Sequence, residues 1–336
     1  MSESQQSIIN SMSLYGIVTV GLSGGKDSTA LALWVKFESG WDMSKVVFTF
    51  CETGNEDPFT YAFLGYLESV IGNIVVINPG ETLYELSMRK SRFPSAKARF
   101  CTQSLKIYPK HDLLSLFVDH GLRPLNVTGV RRQEGKASNN RGDAELFDYD
   151  VFRCRDNDYI IDTCHPLAYW SLDDVWDIHK RHLSIDAIAD IIDADEAMSE
   201  SGKSALKRRL SATGIPRNPL YDIGSTRVGC FPCINSRKSE IKSMAKWRPE
   251  RIDFIRDWEV DISESKGDEM FAGFFHPSSV TRNFRSRRVV GKDGVEHYVC
   301  TVDDVVLWAQ TSRGGKQYQM DFEEESSVCQ IGGHCE

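Results

Sequence analysis

Apolar positions along the chain follow two alternating spacings. Residues 17–22, Ile-Val-Thr-Val-Gly-Leu, form a short β-branched run that leads into glycines, and residues 28–37 carry Leu31, Ala32, Trp34 and Val35 at helical spacing. This predicts a strand, a tight loop and a helix. The alternation recurs: 46–50 reads as a strand, 58–71 as a helix with Phe59, Phe63, Tyr66, Leu67 and Val70 on one side, and 74–77 as a strand. Farther on, 113–118 reads as a helix and 125–130 and 159–161 as strands. Strands that alternate with helices imply a parallel sheet with helices on its faces, so the expected fold is α/β, a doubly wound and mainly parallel sheet.

The core of that sheet is expected to end near residue 185. The expected organisation is an N-terminal segment (1–15), an α/β domain (16–235) and a smaller cysteine-containing C-terminal module (236–336). Two polar segments, near 132–155 and 194–211, are long enough to be lids or disordered insertions and read equally well as solvated loops. Beyond Pro216 the chain turns to tight turns, cysteines and basic residues, and 289–295 reads as a hairpin around Asp293-Gly294.

Composition narrows the function classes. With 336 residues and 41% hydrophobic content, the chain can bury one large core, with or without an appendage. A net charge of -8 argues against coating nucleic acid through the overall field, so a polyanion must meet a local patch. The segments 282–288 and 237–251 are candidates, and solvated arms are the plainer reading of both. No apolar run approaches the roughly 20 residues of a membrane span, and the first residues lack a secretory pattern, so no membrane partner and a cytoplasmic location are expected. Nine cysteines at uneven spacing fit a disulfide framework poorly and point to metal, cluster or redox chemistry.

The strongest local signal is Ser23-Gly24-Gly25-Lys26-Asp27-Ser28, between the first strand and its helix. There, backbone N–H groups and a helix N-terminus can hold an anion, glycines let the backbone approach phosphate, and Lys26 adds charge. The Walker A pattern does not fit, because its opening glycine would fall on Val20 and Asp27 stands where Ser or Thr is required. The loop instead resembles the PP-loop of the ATP pyrophosphatase superfamily, which includes the phosphoadenylyl sulfate (PAPS) reductase family, the ATP sulfurylase small subunit and tRNA-thiolating enzymes. That resemblance implies an adenine nucleotide alpha hydrolase-like fold and cleavage of ATP between its α and β phosphates.

Further segments carry the same resemblance, in the family's order, from Val18 to Cys233. Glu52-Thr53-Gly54-Asn55-Glu56 is similar to the D-T-G-x-E segment after strand two, which would place Thr53 and Gly54 beside adenosine. Arg99-Phe100-Cys101-Thr102-Gln103-Ser104-Leu105-Lys106 is similar to R-x-C-x-x-x-L-K, in which the cysteine serves a metal cluster and the lysine a phosphate; Phe100 stands where sulfonucleotide reductases carry a second cysteine. Gly129-Val130-Arg131-Arg132-Gln133-Glu134 is similar to G-x-R-x-x-E, which makes Arg131 a phosphate or sulfate partner. Pro166, Trp170, Asp173, Asp174, Val175 and Trp176, then Pro216-Arg217-Asn218-Pro219-Leu220-Tyr221-Asp222, resemble the P-x-x-x-W helix and N-P-L-Y-D turn; read bare, the tryptophans are core anchors and the prolines turn formers.

Cys230-Phe231-Pro232-Cys233 is a C-x-x-C turn and supplies half a metal site. With Cys101 and either Cys329 or Cys335, the resemblance leans towards a 4Fe-4S cluster, whereas Cys230, Cys233, Cys329 and Cys335 alone would form a zinc staple; spacing does not choose. Cys51, Cys154, Cys164 and Cys300 read as small buried side chains.

The expected activity is therefore adenylation with ATP and Mg2+, Lys26, Asp27 and Arg131 being catalytic and Ser23, Gly24, Gly25, Ser28, Thr53, Gly54, Lys106 and Gly129 completing the nucleotide site. The expected outcome is sulfur transfer to an unidentified acceptor, nucleic acid among the candidates, with a sulfur-donor protein. The alternatives are a PAPS or adenylyl sulfate reductase, which binds the sulfonucleotide and attacks it with a cysteine, and a nucleotide-binding regulatory module without turnover. The intact Lys26 and Asp27 count against the reductase, whose loop usually lacks the lysine.

Overall fold

The computed structural model describes residues 12–134, 147–154, 157–266, 271–276, 280, 282–285, 287–290 and 296–312. Its main sheet is built from β1 (Ile17–Leu22), β2 (Val46–Cys51), β3 (Ile74–Ile77), β4 (Pro124–Val127), β5 (Phe147–Cys154) and β6 (Asn157–Cys164). The strands lie in the order β3-β2-β1-β4-β6-β5, with every neighbouring pair parallel except β5 with β6. The chain steps outward from β1 to β3 and then crosses to β4 on the far side of β1. That reversal between β1 and β4 is where a doubly wound sheet opens a ligand crevice at its strand ends.

The helix α1 (Lys26–Phe37) is buried from Lys26 through Val35, because it lies against both the sheet and a second layer of helices. Helix α2 (Pro58–Ile71) begins where Asp57 accepts the Phe59 N–H at 2.9 Å and Pro58 presets the first turn. Helix α3 (Leu83–Arg89) opens with a capping box of Thr82 and Glu85. Helix α4 (Tyr108–Asp119) extends the expected 113–118 helix in both directions. A one-turn helix at Phe100–Thr102 and a wide π-type turn at Gln103–Ile107 lead into it. Strand β4 stops before the expected 130: Thr128 still donates to the Cys164 carbonyl at 3.0 Å, but Gly129 then leaves the sheet to pass against the head of α1.

Both polar segments read as lids or loops prove partly regular. After α5 (Leu172–His182) and α6 (Ile185–Asp193), the 194–211 segment forms α7 (Glu200–Thr213), capped by Ser199 and closed by Gly214 at φ 61°. Only Leu206 and Leu210 of α7 are buried, so its composition is that of a solvent-facing helix. The 132–155 segment contains a 3-10 turn at Arg132–Glu134 and the edge strand β5, with 135–146 outside the described residues.

Beyond the short helix α8 (Leu220–Ile223), the stretch expected to be mostly turns carries α9 (Lys238–Trp247), α10 (Pro249–Lys266) and α11 (Val302–Gln310). The expected hairpin is present as β7 (Arg287–Val290) paired with β8 (Glu296–Val299), its turn lying outside the described residues. Ile241, Met244, Trp258, Phe274 and Trp308 join the same buried cluster as Leu83, Phe93 and the sheet. Between α9 and α10, the fully buried Arg248 reaches Asp57 at 3.1 Å and Asp195 at 2.6 Å and lies over the Phe59 ring. No helix among the described residues is long and apolar enough to cross a membrane.

Candidate functional site: a charged loop and a thiol pocket

The residues singled out in the sequence gather into two groups at the strand ends. The first is loop 23–28 with its neighbours from the β4 end. Gly25 caps α1 without a side-chain hydrogen bond, leaving the helix N-terminus without the usual Ser, Thr or Asp cap. The two serine hydroxyls, Ser23 and Ser28, lie 3.1 Å apart; the Gly25 N–H donates to Ser23 Oγ and Ser28 Oγ donates to the Gly25 carbonyl. Gly24 adopts φ +74°, and a Cβ there would meet a methyl of Thr60 at 3.0 Å. Gly129 is required by close approach, since a Cβ would lie 3.0 Å from the carbonyl carbon and oxygen of Asp27.

Asp27, fully buried, sits between two cations. Lys26 Nζ lies 2.9 Å from one carboxylate oxygen and Arg131, itself 1% exposed, binds the other. The trio keeps one net positive charge at the head of α1. Arg131 is thus held by the protein's own carboxylate, and its placement derives from the same exit of β4 that packs Gly129 on the loop.

Three residues that the sequence does not assign to this loop hold it in place. Tyr221 accepts the Lys26 backbone N–H at 2.9 Å on its phenol oxygen. Asn218 donates to the Gly24 carbonyl at 3.4 Å and to Thr60 at 3.3 Å. His179, buried in α5, has Nε2 2.9 Å from the Lys26 carbonyl and Nδ1 3.1 Å from the Pro216 carbonyl; burial holds its pKa down, so the neutral ring donates to one of them. The N-P-L-Y-D turn therefore clamps the loop from outside. Trp176 is half-buried there, edge-on to Tyr221 and under Arg217, and is less a core anchor than a wall of this clamp.

The second group is a cavity of about 560 Å³, counting the part open to solvent, lined by Thr53, Lys106, Cys101, Cys230, Cys233 and Arg227 among apolar side chains such as Leu83 and Leu105. Four separated segments supply those residues. The C-x-x-C turn is docked on the loop after β2: Cys230 pairs with Glu56 in an antiparallel bridge, the Phe231 N–H donates to the Asn55 carbonyl at 2.7 Å, and Asn55 donates to the Pro232 carbonyl at 3.0 Å. Cys230 Sγ lies 3.5 Å from the Thr53 hydroxyl. The π-type turn swings Leu105 and Lys106 to the same cavity. Gly54 does not line the cavity; it is exposed at φ +67°, where a Cβ would run into Thr82 at 2.6 Å, so its part is to make the turn.

Burial works against ionisation of the thiol and carboxyl groups at this cavity, whose wall also carries Lys106 and Arg227. It pushes the Cys230 thiol up to about 12, against the pull of Lys106, and raises the Glu56 carboxyl, whose oxygens accept from Thr53 and Tyr61. Below the cavity Cys51 is likewise raised, and the buried Lys110 amine, which donates to Thr49 at 3.1 Å, is lowered to about 8.

The metal expectations fare differently from the geometry around them. Cys101, Cys230 and Cys233 share a cavity, but among the described residues no group of three or more His, Cys, Asp or Glu is arranged to hold a metal ion. Cys329 and Cys335 lie outside the described residues. Among the described residues neither a 4Fe-4S cluster site nor a zinc staple is assembled. For Mg2+, the loop's one carboxylate, Asp27, is already taken by Lys26 and Arg131. Cys164 and Cys300 are buried as expected, and Cys51 is half-buried; the Cys154 side chain lies outside the described residues.

A parallel sheet with a glycine loop, and an arginine just past the neighbouring strand, at its switch point defines a doubly wound α/β protein. The phosphoadenosine phosphosulfate reductase domain matches residues 17–185, and the chain belongs to that family. It is also 28% identical, over 94% of its length and 96% of the relative's, to an uncharacterized 37.8 kDa protein in the gpa 5' region of Escherichia phage 186. Among solved structures it is similar to a PAPS reductase from Candida auris in a phosphate complex, at 13% identity and TM-score 0.43, covering 69% of this chain and 90% of that one. A glutamine-dependent NAD(+) synthetase from Cytophaga hutchinsonii aligns at 13% identity and TM-score 0.35, over 77% of this chain and 48% of that one.

Proposed function

We propose that the chain is an adenylating enzyme that binds ATP on loop 23–28 and splits it to AMP and pyrophosphate. The observation that carries this reading is the intact Lys26-Asp27-Arg131 trio at the head of α1, a preorganised positive centre. An acceptor oxygen attacks the α-phosphorus, a new P–O bond forms, the bond to the β-phosphate bridging oxygen breaks, and pyrophosphate leaves with the electron pair. The acceptor's proton passes to solvent. Lys26, the head of α1 and the loop serines stabilise charge on the phosphates, while Arg131 and Asp27 hold Lys26 in position.

The thiol cavity beside the loop supports sulfur transfer as the second step. A hydrosulfide equivalent from a sulfur-donor protein replaces AMP on the acceptor: a C–S bond forms and the C–O bond to AMP breaks. A reductase that attacks a sulfonucleotide needs a thiolate, and Cys230, its thiol held up to about 12 by burial, is not poised to be that nucleophile. ATP labelled in its α-phosphate tests the reading: label in AMP or an adenylated acceptor is expected, and label in ADP overturns it. Release of sulfite from PAPS with a thiol reductant would instead identify a reductase.

A further inference from the structure

The rim of the thiol cavity carries charge that the rest of the molecule does not explain. Between Glu85 and Asp112 the chain has no acidic residue, yet it carries Arg89, Lys90, Arg92, Lys97, Arg99, Lys106 and the buried Lys110, within a protein of net charge -8. Arg89 is neutralised by a two-pronged contact with Glu81, at 3.0 and 2.6 Å. Lys90, Arg92, Lys97 and Arg99 have no carboxylate partner among the described residues. Elsewhere, Arg123, Arg181, Lys207, Arg217, Arg248 and Arg256 are all ion-paired.

The four cations are placed by local structure. Ser91 takes a left-handed φ of 47°, which turns the chain back after α3 and brings Lys90 and Arg92 over the half-buried Phe100 ring at 5.2 and 5.7 Å. Lys97 is exposed on the tight turn closed by the Ser95 and Ala98 backbone pair, and Arg99 precedes the helix that presents Cys101. Pro94, Cys101 and Thr102 from this same stretch line the cavity. An aromatic ring under two cations, two further cations beside it and a largely apolar cavity behind them match the chemistry of phosphodiester and base together.

We propose that this rim docks the phosphodiester backbone of a single-stranded nucleic acid and delivers one unstacked base to the thiol-lined cavity. A duplex keeps its bases stacked and cannot fill the cavity. The inference names the acceptor for the proposed adenylation and rests on that reading for the chemistry after docking, though not for the docking itself.

Fluorescence anisotropy of labelled single-stranded DNA and RNA oligonucleotides over a potassium chloride series tests it. Four phosphate contacts predict a slope of about -3 for log affinity against log salt, at roughly 0.7 per contact for single strands. The triple variant Lys90→Glu, Arg92→Glu, Lys97→Glu, all exposed positions, should weaken binding at least about a hundredfold and flatten the slope to about -1. A control, Lys242→Glu with Lys246→Glu on α9, should change it less than about threefold, and circular dichroism melts should match for all three proteins. Unchanged binding by the rim variant, an equal loss in the control, preference for duplex, or equal competition by a mononucleotide would each overturn the proposal. Pyrophosphate release from ATP, measured on the same samples, separates the two readings. Rim-dependent binding without pyrophosphate leaves docking standing and removes the adenylation; pyrophosphate without oligonucleotide binding does the reverse.

Discussion

The two halves of the site handle buried polarity in opposite ways. At loop 23–28 the charges are kept and paired: Lys26 and Arg131 flank Asp27, and the helix dipole adds to their field. At and behind the thiol cavity burial opposes ionisation: the Cys230 and Cys51 thiols and the Glu56 carboxyl are raised and the Lys110 amine is lowered, while Lys106 and Arg227 stand on the cavity wall. A paired loop is suited to hold a polyanion without rearranging. A cavity that opposes ionisation is suited to admit an apolar, planar group and to delay ionisation until a partner arrives.

The largest expected effect breaks the charged half. Asp27→Ala leaves Lys26 and Arg131 as buried cations without their shared partner; a loss of about 3–5 kcal/mol in urea unfolding and abolition of pyrophosphate release are expected. Wild-type stability with lost turnover would show that the trio serves the ligand alone. Arg248→Met tests the frame of the other half, because it strands Asp57 and Asp195 at the helix that follows the Thr53 loop. A similar destabilisation, about 3–5 kcal/mol, should appear by thermal melt.

The cavity half is sharpened by pH. Lys110 titrates near 8 when folded and near its ordinary value of 10.5 when unfolded, so the unfolded chain binds more protons between those values and stability from this group rises with pH across that window. Below pH 8 the full cost remains, about 3 kcal/mol. Lys110→Met should remove that rise, so the difference between variant and wild type in denaturant midpoint should shrink from pH 8 to 10; a constant difference refutes the neutral amine. The smallest effect is at the seam. Tyr221→Phe removes the phenol oxygen that occupies the Lys26 N–H, and a phosphate competing for that donor should bind about fivefold tighter, near 1 kcal/mol, by calorimetry with ATP. Unchanged affinity would mean that phosphate does not use this N–H.

Legibility in the sequence followed locality. Strands β1 and β2 and helices α1 and α2 were readable because each buries a run of apolar side chains, and β3, although Val75 and Val76 are exposed, was readable from its unbroken β-branched run. Helix α7 was hidden because it buries little besides Leu206 and Leu210, and β5 because its aspartates alternate with apolar residues along an edge. Helices α9 to α11 were obscured by basic and acidic residues on their outer faces. Within the site, the glycine loop was visible as six consecutive residues. Tyr221, Asn218 and His179 were not assigned to it, since nothing local distinguishes a turn tyrosine or a helical histidine that meets a backbone 150 or more residues away.

The sequence by itself determined the parallel α/β alternation, the glycine loop with its non-Walker spacing, and the shared membership of the loop and the Arg131 element in one family pattern, because each is written in contiguous residues. Only the tertiary structure decided that Asp27 is the common anchor of Lys26 and Arg131, that Gly54 makes a turn, and that Cys101, Lys106, Thr53 and Cys230 face one cavity. Those outcomes depend on where strand ends meet across the sheet, and that is a property of packing and register rather than of any single segment.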